Sequence, residues 1–310
     1  MRTLGRIVVR IMLGIIGAIA LVLAATSAGN AIASSVEADQ IVPYGTRVEV
    51  DGKKMNVVER GTGSRTVVLL PGFGTAAPGI DFEPLIAQLE SKFRVVVVEP
   101  FGSGLSDDTD APRTSERYVQ EVHGALERLG IDRYAIAAHS IAGIYALAYA
   151  DRYPDEVTAF IGIDSSVPGQ PGTDDPLPID LMRWMKWLGI SRQLDAAGPD
   201  PLEGLPYSDE QRAQNRILSL RNSLSSAFVN EADATSVNFR NAEKLRFPTG
   251  LPVLLLVARD PNAPEPGWLD LHRRQAAQTP DGRVVELSGP HYLHHVQAPR
   301  IAEEIGKLLG

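Results

Sequence analysis

No cysteine occurs among the 310 residues. That single absence removes disulfides, thiolate metal sites, thiol nucleophiles and a cysteine-linked lipid anchor, and it suits a protein exported from a reducing compartment. Charge is missing locally: no Asp, Glu, Lys or Arg lies between Arg10 and Glu37. With no polar face interrupting this run, a buried helix of a soluble domain is not the expected reading. Internal repeats with periods of about 20–50 residues are also absent, which sets aside solenoids and propellers. Neither a G-x-G-x-x-G opening a helix after the first strand nor a Walker lysine motif is present, so no nucleotide cofactor is implied. No H-E-x-x-H or carboxylate cluster with ligand spacing appears, and the adjacent His294 and His295 are expected to point in different directions. No metal is therefore expected.

What is present begins with Arg2, Arg6 and Arg10 ahead of "IMLGIIGAIALVLAA". Residues 1–36 fit two descriptions. One is a signal peptide cut before Ser34, with Ala31 and Ala33 as the small residues of the cleavage site. The other is a retained transmembrane anchor, since the uncharged run exceeds the roughly 20 residues needed to cross a bilayer. In both, the arginines hold the N-terminus in the cytoplasm and send everything after residue 40 outside it. The chain carries a net −8, of which the first 33 residues contribute +3, leaving −11 beyond them. Nucleic acid and anionic lipid are poor partners for such a surface.

Beyond residue 45 strands and helices alternate. "TRVEVDGKKMNVVERG" predicts a hairpin turning at Asp51-Gly52, a dipeptide that supplies positive φ values. Strands follow at 66–71, 93–100, 134–140, 157–164, 253–260 and 283–289, several apolar on both faces, as in a mainly parallel sheet covered on both sides. Helical patterns fall between them at 82–91, 115–129, 141–153, 269–278 and 299–309. The expected class is α/β, with a doubly wound sheet opened by an antiparallel hairpin. Residues 165–250 break the rhythm with a Pro/Gly-rich connection and further helical patterns, and are expected to form a helical cap over a core of 45–164 and 251–310.

In such sheets reactive groups gather beyond the carboxyl ends of strands. There stand Gly72 to Gly74, Glu99, Ser140, Asp164, Asp260 and His291. "AHSIAG" places Ser140 on a strand-to-helix turn flanked by Ala138 and Ala142, small enough for the crowding of a nucleophile elbow. A serine N-cap of the next helix would read the same way.

On these residues the chain resembles the α/β-hydrolase family, over essentially all of 45–309. A-x-S-x-A stands for the family's G-x-S-x-G, and Ser140, Asp260 ("LLLVARDP") and His291 ("LSGPHYLHH") follow its order of nucleophile, acid and histidine. The resemblance implies a cofactor-independent hydrolase in which His291 takes the proton of Ser140 while Asp260 orients the imidazole. Asp164, at the end of another strand, is the alternative acid. It implies an oxyanion hole from the backbone N–H groups of Ile141 and Phe73, with Pro71-Gly72 where the family often has His-Gly. "EPFGSGLSD" resembles the loop that shapes the floor of such sites, with Glu99 in place of Asp. His139 is expected with its ring turned from the chemistry, His294 and His295 as packing or supporting groups, and His123 and His272 as surface or core residues.

In "LMRWMKWLGI", Leu181, Trp184, Trp187 and Leu188 recur at helical spacing. They are expected mostly to pack on the core, some of them lining an apolar acyl pocket. The implied substrates are small, partly hydrophobic carboxylic esters. Amidase, thioesterase or haloperoxidase-like chemistry, and a sensor that binds a small molecule without turnover, stay open. Epoxide hydrolase and dehalogenase chemistry is disfavoured, because those members use Asp where this chain has Ser140.

Overall fold

The computed structural model describes residues 2–263 and 265–310. By contact density it divides into two compact units, Met1–Ile41 with Pro178–Glu203, and Val42–Leu177 with Gly204–Gly310.

The larger unit is built on one eight-stranded sheet: β1 (Thr46–Val50), β2 (Lys53–Arg60), β3 (Thr66–Leu70), β4 (Arg94–Glu99), β5 (Tyr134–His139), β6 (Val157–Ile163), β7 (Val253–Arg259) and β8 (Arg283–Ser288). Their spatial order is β1-β2-β4-β3-β5-β6-β7-β8. β1 and β2 are antiparallel, turning at Asp51 (φ 51°) and Gly52 (φ 76°), and β2 also runs antiparallel to β4. All remaining pairs are parallel. Because side chains alternate along a strand, the apolar runs supply two cores at once. Val68, Leu70, Val96, Val98 and Ile136 face one of them, and Val67, Leu69, Val95, Val97 and Ile161 face the other.

Helices close both faces. The first core is covered by α4 (Ser115–Arg128) and α5 (Ala142–Arg152), which bury Val119, Val122, Leu126, Ile144 and Leu147. α3 (Glu83–Leu89) and α12 (Ala298–Leu309) cover the second with Leu85, Ile86, Leu89, Ile301 and Ile305. α2 (Pro78–Asp81) packs on β4, α10 (Trp268–Ala276) on β7 and β8, and α11 (Leu293–Val296) against α3 and α12. α8 (Asp209–Asn222) starts with a capping box of Ser208 and Gln211. α9 (Ser226–Ala242) is capped by the Ser225 side chain.

The smaller unit holds α1 (Arg2–Ala38), α6 (Ile179–Trp187) and α7 (Ile190–Ala197). Residues 165–250 therefore do not fold as one body. α6 and α7 bond to α1, whereas α8 and α9 bond to loops of the sheet. α1 is long and apolar enough to cross a membrane, with a mean hydropathy of 2.7 in its most apolar window and none of that window buried. Leu181, Trp184 and Trp187, expected mostly to pack, are exposed.

Candidate active site

Ser140 follows the last residue of β5 and precedes α5 by one residue. Its φ is +54°, a left-handed conformation that costs an L-residue free energy and recurs at functional turns. The turn is fixed from several sides: Ser140 N–H donates to Ile163 O (3.4 Å), and Ser140 O accepts from Gly143 N–H (3.0 Å) and Ser166 N–H (2.8 Å). Ala138 and Ala142 are fully buried.

The turn after β3 closes over this elbow. Thr75 N–H bonds Gly72 O, and a Cβ added to Gly72 would come within 2.9 Å of both Ser140 Cβ and His139 Nδ1. Only glycine fits there, which explains Pro71-Gly72 at this point. Phe73 follows in the same turn with its ring 4.5 Å from that of Phe228 on α9. Ile141 is the N-cap of α5. Ile141 is thus the chain neighbour of Ser140, and Phe73 follows the Gly72 that packs against it.

The histidine reaches the site from the loop after β8. His291 Nδ1 lies 2.6 Å from Asp164 Oδ2, and its ring centroid lies 4.7 Å from that of His139, the residue before Ser140. The expected acid was Asp260, and here the structure differs: Asp260 Oδ1 accepts from Asn262 N–H (2.8 Å) in its own turn, and the carboxylate on His291 is that of Asp164.

The reason lies in the sheet. Asp164 directly follows β6 and, at φ +42°, turns across the end of β7. There its Oδ1 accepts from Ala258 N–H (2.9 Å) and Trp268 Nε1–H (2.8 Å). Burial alone would raise the Asp164 pKa, but the bonds from His291, Trp268 and Ala258 outweigh it and hold the carboxyl below its usual value. An ionised Asp164 fixes the proton of His291 on Nδ1 and leaves Nε2 as a lone pair. The His291 side chain is 45% exposed, open to an incoming molecule.

Residues 65–252 match the model of the alpha/beta hydrolase fold family. The chain belongs to that family. The hydrolase is 27% identical over 277 residues to YbdG, an uncharacterized protein of Bacillus subtilis (strain 168), covering 86% of this chain and 85% of the relative. It is 26% identical over 133 residues to the 2-(acetamidomethylene)succinate hydrolase of Mesorhizobium japonicum, which is 43% of this chain and 46% of that enzyme. Among solved structures it superposes on an epoxide hydrolase of Vigna radiata with a TM-score of 0.66 at 21% identity, covering 85% of this chain and 97% of that one. The enol-lactonase of Burkholderia xenovorans LB400 gives a TM-score of 0.63 at 18% identity, covering 85% and 99%.

Around the triad-like group the hydrolase carries a second ionic cluster that sequence reasoning missed. Asp81 is buried at the end of α2 and accepts from His294 Nε2 (2.7 Å) and His295 Nε2 (2.8 Å). The two adjacent histidines do not diverge as expected but turn to one carboxylate. Burial works to raise Asp81, and the two imidazoles more than reverse it, so its pKa falls far below the ordinary range. Burial lowers His294, and lowers His139 strongly. Asp81, His294 and His295 have donor atoms close enough together to hold a metal ion. Contacts of 2.7–2.8 Å between nitrogen and oxygen are those of hydrogen bonds. His139 does not turn away: its Nε2 contacts His291 O (3.2 Å) and its ring packs against His291, Tyr292 and His294.

Glu99 has no reactive geometry. It is buried and accepts from Tyr44 Oη, Asn56 Nδ2, Gly79 N–H and Leu105 N–H at 2.7–2.9 Å. It is a brace for the two loops beside the site. α8 and α9 are tied to the same loops: Asn222 Nδ2 donates to Ala76 O and Gly104 O, and Asp108 accepts from Ser226 and Ala227 N–H at the start of α9.

Proposed function

We propose that this protein is a serine hydrolase of small, partly hydrophobic carboxylic esters, working through Ser140, His291 and Asp164 outside the cytoplasm. The observation that carries this reading is the bond of His291 Nδ1 to Asp164, on a histidine whose ring packs beside the residue preceding a strained serine.

His291 Nε2 accepts the Ser140 hydroxyl proton as Oγ attacks the ester carbonyl carbon, and Asp164 stabilises the imidazolium that forms. The tetrahedral oxyanion is held by the N–H groups of Ile141 and Phe73, each such donor contributing roughly 10²–10³ in rate. As the intermediate collapses the C–O bond to the alcohol breaks, and the imidazolium hands its proton to the departing alkoxide. A water then gives a proton to His291 and attacks the acyl-serine, and the proton returns to Oγ as the carboxylic acid leaves. α8 and α9 serve as the lid, with Phe228 against Phe73 linking the acyl side of the site to α9. α1 is the membrane anchor of the exported enzyme.

Ser140 at the nucleophile position favours this reading over the aspartate chemistry of epoxide opening. Full-length enzyme in detergent micelles is expected to hydrolyse p-nitrophenyl butyrate and to be labelled on Ser140 by a fluorophosphonate, with both lost in Ser140→Ala. A parent protein inert to both reagents would refute the proposal, and tight small-molecule binding unchanged in Ser140→Ala would favour a sensor instead.

A further inference from the structure

α6 and α7 make their specific bonds to a short stretch of α1. Ser27 Oγ donates to Trp187 O (3.0 Å) and Asn30 Nδ2 to Lys186 O (3.3 Å). Arg192 on α7 reaches Asn30 Oδ1 (2.9 Å), Ser34 Oγ (3.0 Å) and Glu37 Oε1 (2.5 Å). Residues 30, 34 and 37 fall on one face of a helix. Gly189, between α6 and α7, approaches α1 so closely that a Cβ there would lie 2.6 Å from Thr26 O. The helix pair is clamped to a defined level of α1.

That level is set by the apolar run below it. At about 1.5 Å per residue, the helix rises about 30 Å from Arg10 to Asn30, the thickness of a bilayer hydrocarbon core. The clamp therefore sits at the outer edge of the apolar layer. Arg192 and Glu37 point further out, into the headgroups and water, where an ion pair costs little.

At this edge α6 presents an apolar face that none of the described residues of its own unit covers. Trp184 and Trp187 are 59% and 62% exposed, packed edge to face with centroids 5.4 Å apart, and Leu181 continues the row one turn earlier. Arg183 and Lys186 lie among them on the same helix. Indole is the side chain that settles at the membrane–water boundary, its ring in the acyl region and its N–H among headgroups. A short helix with this composition lies in the plane of the interface.

We propose that α6 is an interfacial helix that docks on the outer leaflet, its Leu181, Trp184 and Trp187 inserted beside α1, so that the anchor and this segment of the chain form one membrane-seated module. The inference rests on α1 being retained as the anchor. Its occupant is the lipid surface itself, recognised by hydrophobic insertion and not by anionic charge.

The full chain reconstituted into phosphatidylcholine vesicles tests it. α1 contains no tryptophan and Trp268 is bonded to Asp164 beside the active site, so lipid quenching reports α6. Phosphatidylcholine brominated near the ester end of its acyl chains is expected to quench most of the emission of Trp184 and Trp187. Lipid brominated at the chain ends is expected to quench it less. The Trp184→Phe/Trp187→Phe double variant is expected to lose this response. Emission that is unquenched while the chain resists carbonate extraction overturns the docking and leaves the anchor standing. Unquenched but blue-shifted emission, meaning indoles covered by protein, overturns it as well. Release of the full chain by carbonate overturns both.

Discussion

Asp164→Asn separates the acid that the geometry assigns from the one that strand order suggests. The carboxylate has two unequal ends: Oδ1 receives Ala258 N–H and Trp268 Nε1–H, and Oδ2 faces His291 Nδ1. An asparagine in the same place must put its oxygen where the two donors are, because the opposite flip sets an NH₂ against two N–H groups. Its NH₂ then points at His291 Nδ1, which can only accept. The histidine proton moves to Nε2, the atom proposed to accept the serine proton, and the base is lost although every heavy atom stays in place. An inverted tautomer of this kind costs about 10⁴ in kcat, or about 5.5 kcal/mol of transition-state stabilisation. Among the described residues Asp260→Asn alters a turn bond to Asn262, and it is expected to keep a rate within a few-fold of the parent. The assay is steady-state hydrolysis of p-nitrophenyl butyrate by each variant, with thermal unfolding to show that it is folded. An Asp164→Asn enzyme retaining more than about a tenth of the parental kcat, or an Asp260→Asn enzyme as crippled as expected for Asp164→Asn, would refute the reasoning.

Other expectations follow from the same contacts. Gly72→Ala forces a methyl against Ser140 and His139, shifting the turn that carries Phe73. It is expected to lower kcat by roughly 10²–10³ with KM little changed, as for a lost oxyanion donor, and an unchanged kcat would place that turn outside the chemistry. Arg113 is buried with Glu121, both side chains 1% exposed, and Arg117 Nε–H holds the other Glu121 oxygen, so Arg113→Leu removes one of two cationic partners and is expected to cost about 1–3 kcal/mol in chemical denaturation; no measurable loss would contradict this. Burial lowers His139, so the folded protein refuses a proton that the unfolded chain binds below about pH 6.5. Its contribution is whole above that pH and is lost as pH falls toward the lowered value. His139→Asn is expected to flatten the fall in stability between pH 6 and pH 5 by about 1 kcal/mol per unit, and parallel curves would show that His139 titrates normally.

The fold was legible because β3, β4 and β5 are short, apolar at consecutive positions and mostly β-branched or small, as in a sheet covered on both faces, and because Asp51-Gly52 marks the hairpin. Ser140 was legible through the smallness of Ala138 and Ala142, and His291 through its place after the last strand. The acid was not. Asp164 and Asp260 end neighbouring parallel strands, and sequence reports that each stands at a strand end without reporting which carboxylate the turn aims across the rim. The φ of +42° at Asp164 decides that, and a non-glycine residue gives no warning of it. Asp81 was hidden for a different reason: its partners His294 and His295 lie more than 200 positions away, and no local pattern ties an aspartate in a short helix to them. The tryptophans of α6 showed helical spacing, which fixes that they share a face but not whether protein or solvent meets it.

With Asp164 directly after β6, the proposed nucleophile and the proposed acid stand just beyond adjacent strands joined rung by rung, His139 opposite Ile163. Two of the three groups thus inherit their spacing from the backbone ladder and have almost no freedom to drift. The imidazole alone hangs from a loop. Any looseness of the proposed centre, on binding or on warming, is expected as a swing of residues 289–292 about the other two groups.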